Sequence, residues 1–299
     1  MNKKLLTGLA ALLILTATAC QNDAKPSGTI TGAQPSPSVG TTEPSENTPA
    51  QTTKPTDTAP SQPPTVQSAE IAPSPKPSAS PPAAPKTTYR LNPKSYDIQP
   101  IDPSVTEKKM VLLTFDDGPK DKEMLESMLN TLDKHHAKAI FFVNGYRVKQ
   151  KPELLKLIHE RGQTIGNHSW DHIDLKKENE EKVNQQIGDV QTIVKEAIGE
   201  APRFFRPPFG SGGDIVKAKV KEEQMLFMTW SNGSKDWEMS TKNNNPDQVV
   251  ANVLEQLRPG SNILMHELPW TDKALDKLLT ELEQKQYGFI DPATIEITP

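Results

Sequence analysis

Seven short apolar runs alternate with longer amphipathic segments between residues 107 and 299, and this alternation predicts an α/β fold of parallel strands joined by crossover helices. Seven strands with helices between them suggest a barrel or a strongly curved sheet. Asp116, Asp117, His168, Arg206, Asp236 and His266 all fall at or just beyond the C-terminal ends of the expected strands, where such folds gather their chemistry.

The first expected strand, 110–115, is Met-Val-Leu-Leu-Thr-Phe, the near-continuous apolar run of a buried parallel strand. Residues 122–135 follow as a helix, because Met124, Leu125, Met128, Leu129 and Leu132 recur at helical spacing on one face. Strands are then expected at 139–143, 163–166, 203–206, 225–230, 262–265 and 288–290. Helices are expected between them at 152–160, 178–198, 213–223, 247–257 and 272–285.

The 299-residue chain is not uniform in composition, and three segments are expected: 1–20, 21–106 and 107–299. Lys3 and Lys4, an apolar stretch from Leu5 to Ala17, and small residues leading to Cys20 read as an export signal. The apolar stretch falls short of the ~20 residues that span a bilayer. Small residues before a cysteine resemble the lipobox of bacterial lipoproteins, which would make Cys20 a lipidated N-terminus anchored to a membrane. Cys20 is the only cysteine, so no intramolecular disulfide can form.

Residues 21–106 hold 18 of the 28 prolines and contain no Phe or Trp, a composition unable to bury enough apolar surface to fold. A disordered tether is expected there, with the packing of residues 89–106 on the domain left open. The remaining residues suffice for one sizeable core. Their acids and bases nearly balance, which gives no support to a nucleic-acid surface. A monomer is expected.

Asp116 and Asp117 end the first strand and are followed by Gly118-Pro119. Asp, Gly and Pro also build ordinary polar turns. Neighbouring strand residues point to opposite sides, so one carboxylate could bind a metal while the other, turned by the Gly-Pro corner, faces a water. His168 and His172, four apart, would share a side on a helical turn or a tight loop, and with one carboxylate they make a metal set with an open position. His135, His136 and His159 sit near helix C-termini and read as surface residues. His266 follows an apolar strand. If Asp236 accepts a hydrogen bond from one of its ring nitrogens, the other becomes an acid suited to protonating an amine leaving group. Arg206 could orient Asp116 or simply form a surface ion pair.

Thr114-Phe115-Asp116-Asp117-Gly118-Pro119, His168-Ser169-Trp170-Asp171-His172, Arg206-Pro207-Pro208-Phe209-Gly210, Asp236-Trp237 and Leu264-Met265-His266 resemble, in order and spacing, the motifs of the NodB-type polysaccharide deacetylases, carbohydrate esterase family four. The similarity runs over about 109–290. It implies a distorted (β/α) barrel of about seven parallel strands, one divalent metal ion and hydrolysis of acetyl groups on sugars, and a two-histidine, one-carboxylate set suits zinc. Carried over, the resemblance implies that Asp117, His168 and His172 are metal ligands, Asp116 the general base and His266 the general acid. Arg206 would tether the base and Asp236 tune the acid. Trp237 and Leu264 would receive the acetyl methyl, and the Phe209 N–H would complete the oxyanion site.

Together with signal, cysteine and tether, this implies an anchored deacetylase of N-acetylglucosamine in a cell-wall glycan, peptidoglycan foremost. The alternatives are an acetyl esterase, a chitooligosaccharide deacetylase and a catalytically silent wall-binding lipoprotein. Phe209 stands where the family usually has Tyr, and 232–235 and 267–270 also depart from its pattern. These departures bear on substrate preference.

Overall fold

The computed structural model describes residues 86–298. The expected signal, Cys20 and the tether up to residue 85 lie outside the described residues. After a hairpin of β1 (Tyr89–Leu91) and β2 (Ile98–Pro100), the chain runs β3 (Met110–Gly118), α1 (Lys122–Lys134), β4 (Ala139–Val143), α2 (Gly145–Gln150), α3 (Pro152–Glu160) and β5 (Thr164–Asn167). It continues with α4 (Glu180–Ile198), β6 (Phe204–Phe205), α5 (Asp214–Glu222), β7 (Leu226–Phe227) and β8 (Asn232–Gly233). The last elements are α6 (Pro246–Glu255), β9 (Asn262–His266), α7 (Pro269–Gln284) and β10 (Gly288–Phe289).

The strands from β3 onward form one parallel sheet in the order β7-β6-β5-β4-β3-β9-β8, with β10 beside the first residues of β3. The outer strands β7 and β8 do not pair with each other, so the barrel is distorted and open on that side. Among the described residues, no helix is long and apolar enough to cross a membrane.

Strand periodicity sorts the core into two layers. Val111, Leu113 and Phe115 of β3 point outward with Phe141, Val143, Ile263 and Met265, and pack under Leu125, Leu129, Ile158, Val190 and Leu278 of the helices. Leu112 points inward to meet Ile140, Phe142, Phe204, Leu226 and Met228. Each such side chain, fully buried, stabilises the fold by about 1.5–3 kcal/mol. Further along the same inner face come Thr114 and Asp116, so the strand that builds the core delivers the first acid to its mouth.

Residues 89–106, whose packing the sequence left open, join the packed region. Tyr89 and Ile98 join the inner core layer, the Ile98 N–H donates to Gly260 O at 2.8 Å, and the Glu296 N–H donates to Tyr89 O at 2.8 Å. Gly260, at φ 85°, permits this approach, since a Cβ there would lie 2.2 Å from Ile98 O. The hairpin therefore closes the barrel at the N-terminal ends of its strands. Residues 89–106 hold three of the prolines, and their apolar side chains dock the segment.

Other differences are local. β6 and β7 are two residues each, shorter than expected, and β8 and α2 were not expected at all. α7 starts at Pro269 instead of 272, because proline suits a first helical turn. His135 is buried, with its two ring nitrogens at 3.0 Å from Glu283 Oε2 and 2.9 Å from Asp276 Oδ1, where a surface position was expected. It pins α1 to α7.

Candidate active site

At the mouth of the barrel, Asp116 on β3 lies in register beside His266 on β9. Its Oδ1 accepts a 2.7 Å hydrogen bond from Arg206 Nη1. Arg206 is fully buried, not the surface ion pair that the sequence left open. Its guanidinium also donates to Thr114 Oγ1, Thr229 O and Asn262 Oδ1, at 2.8, 2.8 and 3.1 Å, and lies over the Phe142 ring. A planar fork fixed at this many points holds the carboxylate in one orientation.

Strict strand alternation would send Asp117 to the other side of the sheet, and the backbone prevents this. The β3–β4 register shifts between Asp116 and Gly118, and Asp117 takes φ 66°. Both aspartates consequently face His168, whose Nε2 is 3.7 Å from Asp116 Oδ2 and 3.5 Å from Asp117 Oδ1. His172 Nε2 approaches the same Asp117 oxygen to 3.2 Å. The two histidines sit on a tight loop after β5, not on a helix, with Ser169 and His172 both in the left-handed region.

These three side chains fit a divalent metal ion. Their ligand atoms all lie within 4.8 Å of one another, and the buried Asp117 Oδ1 has no hydrogen-bond partner. His168 Nδ1 lies 2.7 Å from Arg206 O, so that nitrogen carries the proton and Nε2 is left free as a ligand. Burial holds the His168 imidazole below its ordinary pKa, which keeps it neutral. Burial pushes the Asp117 carboxyl up, but His168, Lys120, His266 and His172 outweigh it and hold the group below its usual range. A neutral imidazole and an ionised carboxylate are the states a metal needs.

The opposite wall carries His266. His266 Nδ1 lies 2.8 Å from Asp236 Oδ1, and Asp236 Oδ2 accepts from the His266 N–H and from Thr271 Oγ1, both at 2.7 Å. The Trp270 indole N–H donates to Asp236 O at 2.9 Å. Burial works to lower the His266 pKa, and the hydrogen bond and charge of Asp236 reverse this, so the imidazolium is favoured. His266 Nε2 is left facing a cavity of about 560 Å³ lined by Asp116, Asp117, His168, His172, Trp237 and Leu264, among others.

A polysaccharide deacetylase family pattern matches residues 104–228. A peptidoglycan-N-acetylglucosamine deacetylase of Bacillus cereus is 36% identical over 191 residues, 61% of this chain and 66% of that protein. The Listeria monocytogenes peptidoglycan-N-acetylglucosamine deacetylase PgdA is 36% identical over 202 residues, 67% of this chain but 41% of its own length. The chain thus spans about two-fifths of that relative. The solved structure of the Bc1960 peptidoglycan N-acetylglucosamine deacetylase superposes with a TM-score of 0.59 at 34% identity, covering 64% of this chain and 90% of that one. This chain belongs to the polysaccharide deacetylase family. Within that family, BA3943 of Bacillus anthracis is described as a pseudoenzyme, and it superposes with a TM-score of 0.59 at 30% identity over 64% of this chain and 68% of its own.

The structure brings Asp116, Asp117, His168, His172, Arg206, Asp236 and His266 together in this family member. Leu264 is buried in the cavity wall, whereas Trp237 and Phe209 stand 42% and 66% exposed at its rim. Phe209 has φ 59° and packs edge-on against His172 at 4.8 Å.

Sequence reasoning missed Glu267. It is fully buried, its Oε2 accepts from the Lys120 N–H at 2.9 Å, and its own N–H donates to Asp116 O at 3.3 Å. Gly118 leaves room for it, since a Cβ there would lie 1.8 Å from Glu267 Oε1. The residue is thus a strut between the strand ends that carry the two aspartates and His266. Its position directly after His266 was the available signal.

Proposed function

We propose that this protein hydrolyses the acetamide of N-acetylglucosamine units in a cell-wall glycan, with peptidoglycan as the polymer, using one zinc ion. The observation that carries the proposal is the joining of a tethered carboxylate, a two-histidine, one-carboxylate ligand set and a carboxylate-backed histidine around one cavity. The donor set suits zinc, although other first-row divalent ions take similar ligands. When held by Asp117, His168 and His172, the ion supplies the positive charge that polarises the acetyl carbonyl.

The chain's own groups account for the proton movements. Asp116, fixed by Arg206, takes a proton from the attacking water as its oxygen adds to the carbonyl carbon. The Phe209 N–H donates to the oxyanion that develops. His266, held as imidazolium by Asp236, gives its Nε2 proton to the amine nitrogen as the C–N bond breaks. Acetate and a free amine leave. Trp237 and Leu264 enclose the methyl group and exclude water from it.

A silent wall-binding role is the second reading, favoured by the likeness to the Bacillus anthracis pseudoenzyme. Retention of Asp116, Arg206, Asp236 and His266 in bonded positions supports the catalytic one. Incubation of zinc-loaded protein with N-acetylated peptidoglycan strands, chitin oligomers and O-acetylated sugars separates the readings. Acetate with free amine from peptidoglycan is expected. Ester hydrolysis alone would make the protein an esterase, and no release from any substrate would leave the silent reading. We further propose export and lipid attachment at Cys20, which holds the domain at the outer face of the membrane. Cys20→Ala should then release the protein from the membrane fraction, and unchanged fractionation would refute the anchor.

A further inference from the structure

Trp170 and Asp171 lie between the two histidines, and the chemistry above gives Asp171 no role. The loop that carries them holds two non-glycine residues in the left-handed region, Ser169 at φ 65° and His172 at φ 56°. Such conformations persist only where the surroundings hold them. The first half of the loop has obvious supports. Asn144 Nδ2 donates to His168 O at 2.9 Å, and Asn167 Oδ1 accepts from the Ser169 N–H at 2.9 Å.

The second half is held at Trp170 from α2, whose Tyr146 N–H donates to Trp170 O at 3.3 Å, and at Asp171 from α4. Gln186, 1% exposed, accepts the Asp171 N–H on Oε1 at 2.8 Å and donates from Nε2 to Asp171 Oδ2 at 2.7 Å. Both ends of one amide are thereby used on a single residue, immediately before His172. A backbone N–H can only donate, so the amide orientation is determined. His168 is oriented through its own ring by Arg206 O, whereas the His172 ring meets Asp117, His168 and Phe209. Its placement therefore depends on the backbone that Gln186 grips.

We propose that Gln186 is a positioning residue of the metal centre, which through its reciprocal pair with Asp171 fixes the His172 imidazole on Asp117. The proposal rests on reading Asp117, His168 and His172 as ligands. Outer partners of metal ligands commonly contribute 10–100-fold in affinity.

The test measures the zinc dissociation constant of the full chain by competition with a chelating dye, beside the melting temperature of the metal-free protein. Gln186→Glu sets two carboxylates face to face and should weaken zinc binding about 10–100-fold. Combining it with Asp171→Asn restores the reciprocal pair with the roles exchanged, and affinity should return to within about threefold of wild type. Gln186→Met, similar in volume but lacking both hydrogen bonds, is measured alongside and should also bind weakly. It replaces the carboxylate variant if that one does not fold. Wild-type affinity in Gln186→Met, or a double variant no tighter than Gln186→Glu, would overturn the role. Wild-type protein that binds no zinc or other divalent ion would overturn the ligand reading itself.

Discussion

Two adjacent aspartates reach one cavity because Asp117 adopts φ 66° at a break in strand register, and they then meet different partners. Arg206 takes Asp116, and the two histidines take Asp117. Asp116→Asn should therefore lower turnover at least ~10²-fold, the scale of a lost general base, while elemental analysis finds the metal still bound. His172→Ala should instead lower metal content. Loss of metal in the first variant, or its full retention in the second, would reverse this division. His266, proposed as the acid, also has a pH signature. The net pull of Asp236 raises the His266 pKa, so activity is present while the imidazolium persists and is lost as pH rises through that raised value. Asp236→Asn removes the pull, and the alkaline limb of the kcat–pH profile should move to lower pH. An unmoved limb would assign it to another group. The residue types at this site were legible because their chemistry is unusual at strand ends. Glu267, Asn144, Asn167 and Gln186 were not, because an amide or acid that supports a neighbour has no local pattern, and its partner lies on another element.

At the level of elements, α1, β4 and α3 were readable almost to the residue, the helices from their 3.6-residue period and β4 from a short apolar run bounded by polar residues, whereas β3 runs three residues beyond its expected end at Phe115. Two-residue strands such as β8 have too few positions to show a period. The contact between β3 and β9 beyond their last paired residues depends on Glu267, whose carboxyl is pushed up to about 7 by burial. The sign follows from linkage. A carboxyl whose pKa is raised on folding contributes stability that is fully present below its unfolded value of 4.5, and that stability is lost as pH rises through about 7. The loss amounts to roughly 3 kcal/mol, at ~1.4 kcal/mol for each pKa unit. Glu267→Gln keeps the shape without titrating, so in metal-free protein its melting temperature should gain on wild type between pH 5 and pH 8. Parallel melting curves across that range would show that Glu267 is ionised throughout.

Over the described residues as a whole, the barrel is closed at one end by the β1–β2 hairpin and opens at the other onto the cavity lined by Asp116, Asp117 and His266. Composition left the packing of residues 89–106 open, because they end a proline-rich stretch yet carry Tyr89, Leu91, Tyr96 and Ile98. Only the folded core reveals what those side chains cover. A fragment of residues 107–299 should therefore melt well below one of 86–299, since it exposes the apolar surface under Tyr89 and Ile98 and loses the Asp97–Arg258 ion pair. Equal melting temperatures would make the hairpin an ornament. Five separated sequence motifs are proposed to assemble one metal-dependent hydrolytic site. Its most direct test is acetate release from N-acetylated peptidoglycan by the same preparation before chelation, after chelation and after zinc is restored. Release, loss and recovery are expected, with one free amine formed per acetate. Release that survives complete removal of metal would contradict the proposal.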